Sequence, residues 1–149
     1  MRRTGAHFIA MIMATAAVFL TAGGASASSG DANLLAGVER VSTTNGVTLY
    51  SGVKTEAQAA GLCDYAFCAY SSNVGEVMAA DDCGEGAYVP SSWRTGSAGG
   101  WWQNNLPTGL VSMYNNNWTN IYDTPDAYSA DWTANWAPVR YWEIQCGNP

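Results

Sequence analysis

Four cysteines, Cys63, Cys68, Cys83 and Cys146, constrain this chain most, because all of them follow a leader that directs them to an oxidising compartment. The leader opens with Met1-Arg2-Arg3, continues through an apolar run from Phe8 to Leu20 and closes on Ala25-Ser26-Ala27. A charged start, a short apolar core and a small-residue exit read as a secretory signal peptide over residues 1–27, with a core too short to persist as a membrane span. Exported thiols pair, so two disulfides are expected. Three pairings are open, and Cys63–Cys68 with Cys83–Cys146 is favoured because four intervening residues can close a tight loop. The second bridge would tie the middle of the chain to its C-terminal end.

Loss of the leader also decides which chemistry is available. The single histidine, His7, leaves with it, as do Arg2 and Arg3. Arg40, Lys54, Arg94 and Arg140 then stand against all twelve acids, a net charge of −8. Such sparse positive charge argues against nucleic acid and anionic membranes as partners. Without histidine and with its thiols bonded, the exported chain assembles neither a Ser-His-Asp nor a Cys-His nucleophile, and offers no convincing Cys/His metal site. Glu76 and the run Asp81-Asp82-Cys83-Gly84-Glu85 are the carboxylates a glycosidase would need, but adjacent acids in a glycine-containing turn read better as a solvated loop. The expectation is a binding protein rather than an enzyme.

Composition divides the chain near Gly61. Residues 28–61 are rich in Ser, Ala, Gly and Thr and lack cysteine, an N-terminal accessory or pro-segment. Within it, Val38–Val53 alternates around Asn45-Gly46, a type I′ hairpin signal, and Thr55–Ala60 suits a helical turn. A folded hairpin and a loose pro-segment are both open readings. Residues 62–149 read as short strands at Ala66–Tyr70, Glu76–Ala79, Ala87–Val89, Leu110–Tyr114, Asn120–Tyr122 and Val139–Cys146, the last with clear period-two alternation. No window sustains helical periodicity, so the fold class is all-β, an antiparallel sandwich or barrel.

All seven tryptophans lie between Trp93 and Trp142. Trp93 and Trp142 are expected in the core, whereas Trp132 and Trp136 flank a Thr-Ala-Asn loop. Trp101 and Trp102 are adjacent in an extended segment, so they point to opposite faces and one of them is expected at the surface.

Residues 63–146 resemble peptidase inhibitor family I36, secreted bacterial proteins of βγ-crystallin-like Greek-key fold related to a Streptomyces metalloproteinase inhibitor. The resemblance is carried by Cys63-Asp-Tyr-Ala-Phe-Cys68-Ala-Tyr70, by Trp102-Gln-Asn104-Asn105-Leu-Pro-Thr108-Gly109, by Tyr114-Asn-Asn-Asn-Trp118-Thr-Asn120, and by the ending from Tyr122 through Asn135-Trp136-Ala-Pro138-Val139 to Cys146. It implies a Greek-key sandwich with two folded hairpins, Tyr70 to Gly75 and Tyr114 to Asn120, each closed by a residue able to adopt positive φ, with Trp118 as the inner ring of the second. It also implies a calcium site at Asn104, Asn105 and Thr108, for which a purely structural turn is the competing reading. By resemblance the function is peptidase inhibition, with a rigid disulfide-supported loop blocking an extracellular metalloprotease. The alternative is a carbohydrate or cell-wall binding module, or a killer-toxin-like protein, whose exposed surface would comprise Trp101, Trp102, Asn104, Asn115, Asn116 and Trp118.

Overall fold

Left-handed backbone positions cut the chain into short strands. Asn45 and Gly46 take φ of 49° and 79°, which makes the expected type I′ turn, and Gly75 takes 66°. The computed structural model describes residues 33–95, 99–126 and 128–147; the signal peptide expected over residues 1–27 lies outside them. The described residues form ten strands, a short α-helix and, between β5 and β6, a 3-10 turn (Ser91–Arg94): β1 (Glu39–Thr44), β2 (Val47–Ser51), α1 (Glu56–Gly61), β3 (Phe67–Ser71), β4 (Glu76–Ala80), β5 (Gly86–Tyr88), β6 (Gly100–Asn104), β7 (Leu110–Tyr114), β8 (Asn120–Asp123), β9 (Ser129–Asp131) and β10 (Tyr141–Gln145). Strands β6 and β9 add to those expected. Trp101-Trp102-Gln103-Asn104 shows no alternation because both faces of β6 are covered.

The strands form two antiparallel sheets, one in the order β1-β2-β4-β3-β6-β9 and the other β5-β10-β7-β8. Strands β3, β4 and β6 lie in the first sheet while β5 crosses to the second; β7, β8 and β10 lie in the second while β9 crosses to the first. Each half of the main body therefore lends its third strand to the sheet of the other half. The N-terminal hairpin is part of this architecture, since β2 pairs with β4 through Thr48↔Ala79, Leu49↔Met78 and Tyr50↔Val77. The composition shift at Gly61 marks the end of α1, and the first sheet runs across it.

Two apolar layers result. Phe67, Ala69 and Met78 of the first sheet pack with Trp102, Val111, Met113, Trp142 and Ile144 in the main core, which also holds Trp93 and Trp136. The opposite face of the first sheet, with Cys68, Tyr70, Val77, Ala79 and Trp101, is covered by Val53, Ala59, Leu62 and Cys63. Strand β3 is consequently buried along its whole length, whereas β10 alternates between buried and half-buried. Helix α1 is too short to stand alone. It is capped by Thr55, whose hydroxyl accepts from Gln58 N at 3.1 Å, and Ala59 anchors it against the sheet.

Both favoured disulfides are present. Cys63–Cys68 joins the end of α1 to β3, and Cys83–Cys146, separated by 63 residues, ties the turn after β4 to the end of β10. A third tie is polar: Trp136 Nε1 donates to Tyr70 O at 2.9 Å in the buried interior. Gly100 makes room for it, because a Cβ there would sit 2.6 Å from that indole nitrogen.

Candidate functional site

The alternation of β10 sends Trp142 and Ile144 into the core and leaves Tyr141, Glu143 and Gln145 on the outer face of the second sheet. Register then aligns three tyrosines. Tyr141 pairs with Tyr88 on β5 and with Tyr114 on β7, so their rings form a row across three adjacent strands, with centroids 5.2 Å and 6.2 Å apart. Trp118, from the turn between β7 and β8, folds back over the row and lies 5.4 Å from Tyr141, 5.9 Å from Tyr88 and 6.4 Å from Tyr114. Tyr88 and Trp118 remain 60% and 59% exposed, so the cluster is packed internally yet open to solvent.

The turn holds Trp118 in a conformation that a tryptophan rarely adopts. Its φ is 58°, in the left-handed region, which costs a side chain with a Cβ about 1–2 kcal/mol. Asn115 holds the turn in place: its carbonyl accepts from Trp118 N at 3.1 Å, and its side-chain oxygen accepts from Asn117 N at 2.9 Å and Thr119 N at 3.1 Å. The hairpin was expected to place its positive-φ residue at Asn120; the left-handed residue is Trp118 instead, because the tight turn spans Asn115 to Trp118 and Asn120 already lies in β8. Strain at an exposed aromatic residue is the kind of local cost that accompanies binding sites. Beside the row, Glu143 pairs with Ser112, whose hydroxyl donates to Asp123 Oδ1 at 2.7 Å. Burial, helped by the Glu143 carboxylate and the neighbouring tyrosines, raises the Tyr141 phenol above its usual range.

The residues expected to form a binding surface separate into two groups. Trp118, Asn115 and Asn116 are at the site, with the Asn115 side chain spent on the turn and Asn116 exposed. Trp101 and Trp102 are not: both are 2% exposed. They do point to opposite faces of β6, but both faces are covered, one by the second sheet and the other by the α1 layer. Trp132 rather than Trp101 is exposed there, with its ring 5.4 Å from that of Trp101. Tyr88, Tyr114 and Tyr141 were missing from the expected surface. Alternation in Val139–Cys146 places Tyr141 on the outer face, but only the strand register brings the other two beside it.

The calcium expectation meets a donor set that does not fit. Asn104 is fully buried; its amide nitrogen faces Gly109 O, Pro125 O and Thr124 Oγ1 at 3.2–3.3 Å, and its oxygen accepts from Leu106 N at 3.1 Å. Turning the amide over would set oxygen against two carbonyl oxygens, so the orientation is fixed. The Asn105 oxygen is taken by Gln103 Nε2 at 2.7 Å, and Thr108 is exposed. This is a structural knot that ties β6 to the segments before β7 and after β8. Of the carboxylates, Glu85 accepts from Asp81 N and Asp82 N and Glu76 accepts from Trp93 Nε1 at 2.6 Å, while Asp81 and Asp82 are exposed. Among the described residues no three His, Cys, Asp or Glu side chains converge as a metal site. Comparison with protein-family models, curated proteins and solved structures gives no match.

Proposed function

We propose that this chain is a secreted, non-catalytic binding module that holds a polysaccharide or cell-wall glycan against the Tyr88–Tyr141–Tyr114 row and Trp118. The observation that carries the reading is the solvent-open four-ring cluster built on a strained turn. Flat ring faces pack on the C–H faces of pyranose rings, and the phenol hydroxyls and the Asn116 amide supply hydrogen bonds to sugar hydroxyls. The cluster costs little conformational freedom on binding, because its rings already rest on one another. The leader and the two disulfides support an extracellular setting.

The exchange of β5 and β9 between sheets supports a βγ-crystallin-like Greek-key sandwich and, with the residues quoted above, kinship to family I36. The inhibitor function of that family ranks second for this chain. The Cys63–Cys68 loop is held down by Asn105, which donates to Ala66 O at 2.8 Å and Tyr65 O at 3.0 Å, so the exposed disulfide-held turn is Asp81–Gly84.

The test is a pull-down of the mature chain on insoluble chitin, cellulose and peptidoglycan, beside an inhibition assay on thermolysin-like proteases. Saturable retention on a polysaccharide, lowered about tenfold or more in Trp118→Ala and Tyr88→Ala, is the expected result, each ring face being worth 1–3 kcal/mol by analogy with base stacking. Protease inhibition with no polysaccharide retained would overturn the reading.

A further inference from the structure

Next to the aromatic row, between the tip of the β1–β2 hairpin and β5, lies a groove of about 230 Å³. Its floor is apolar, formed by Val47, Leu49, Met78 and Ala87, and Tyr88 and Tyr141 stand at its mouth. The groove and the row therefore share two residues and form one continuous surface. The rim is polar but uncharged, with the Ser42 and Thr44 hydroxyls and the Asn45 carboxamide; among the described residues none that line the groove is ionisable except the two tyrosines. Its position is fixed by two close approaches. The hairpin tip rests on the Glu85 side chain at Gly46, and the Tyr141 hydroxyl lies over Gly86, where a Cβ would come within 2.6 Å of it.

We infer that this groove receives the acetamido substituent of an N-acetylated hexosamine in the glycan stacked on the row, an inference that rests on the polysaccharide reading above. Three substituents common at that sugar position make different demands. An ammonium group would have to shed its hydration against Val47, Leu49 and Ala87 with no carboxylate lining the groove, which is costly. A bare hydroxyl would leave the apolar floor unfilled. An acetamido group sets its methyl on that floor while its N–H and C=O pair with the rim hydroxyls and the Asn45 amide. Anionic substituents find no cation among the residues that line the groove.

The experiment measures binding of β-1,4-linked tetramers of N-acetylglucosamine, glucosamine and glucose to the mature chain by calorimetry and tryptophan emission. Burial of a methyl and one added amide hydrogen bond together predict about tenfold tighter binding of the acetylated tetramer than of the other two. Ala87→Leu, which fills the groove, is expected to erase that preference and leave glucose-tetramer binding in place, whereas Trp118→Ala weakens all three. Equal affinity for the three tetramers in the unaltered chain overturns the groove assignment and leaves the polysaccharide reading standing. Binding of none of them overturns both. The comparison of ligands on the unaltered chain decides the matter independently of how well Ala87→Leu folds.

Discussion

The two sheets share one core and differ in what lies behind them. The first sheet carries α1 and its neighbours on its far face, so Trp101 is as deeply buried as Trp102 and β3 has no exposed residue. The second sheet has solvent on its far face, so the same period-two geometry leaves Tyr88, Tyr114 and Tyr141 available and places Trp118 above them. Aromatic residues thus build structure in one sheet and offer a surface in the other. The difference lies in coverage, since both sheets are rich in aromatic side chains.

The sharpest way to break this contrast is to delete one ring from each sheet. Trp101→Ala is expected to lower unfolding free energy by about 3–5 kcal/mol through cavity formation, whereas Trp118→Ala changes it by no more than about 1 kcal/mol, both read from urea denaturation. Equal losses would show that Trp118 is structural after all. The disulfides make the next comparison. Replacing Cys83 and Cys146 by Ala removes a bridge spanning 63 residues and is expected to cost about 4 kcal/mol, against about 2 kcal/mol for Cys63 and Cys68, whose separation is 5.

A smaller effect isolates the turn. Trp118→Gly accepts the left-handed conformation freely, so it should be more stable than Trp118→Ala by about 1 kcal/mol while both weaken the proposed glycan binding. The smallest concerns the layer behind the first sheet, where the Tyr50 and Tyr65 hydroxyls lie 2.8 Å apart. Burial first, and then the bond to Tyr65, push the Tyr50 phenol up to about 12. The unfolded chain loses this proton near pH 10 and the folded chain keeps it, so the stabilisation is complete below pH 10 and declines as pH rises towards 12. Denaturation midpoints between pH 9 and pH 12 should fall less steeply in Tyr50→Phe; an unchanged slope would falsify the assignment.

Much of the framework was legible in the residues. Asn45-Gly46 announced its hairpin, the four-residue spacing singled out Cys63–Cys68, and the alternation of Val139–Cys146 separated Trp142 from Tyr141 correctly. The candidate site was legible only at Trp118 and its asparagines. Tyr88, Tyr114 and Tyr141 are far apart in sequence and meet only through the register of β5, β10 and β7. Trp101 misled for the opposite reason, because the residues that cover it come from a segment whose composition suggested an accessory piece.

The residues alone determined where the chain extends and turns, which cysteines stand close enough to close a short loop, and that twelve acids outnumber six basic residues. These are local or additive properties, set by dihedral preference, spacing and charge. Tertiary structure alone decided which side of each strand is covered, because a second buried face requires a layer from elsewhere in the chain. It also decided which tyrosines become neighbours, since a shift of one residue in strand pairing would send every side chain to the other face.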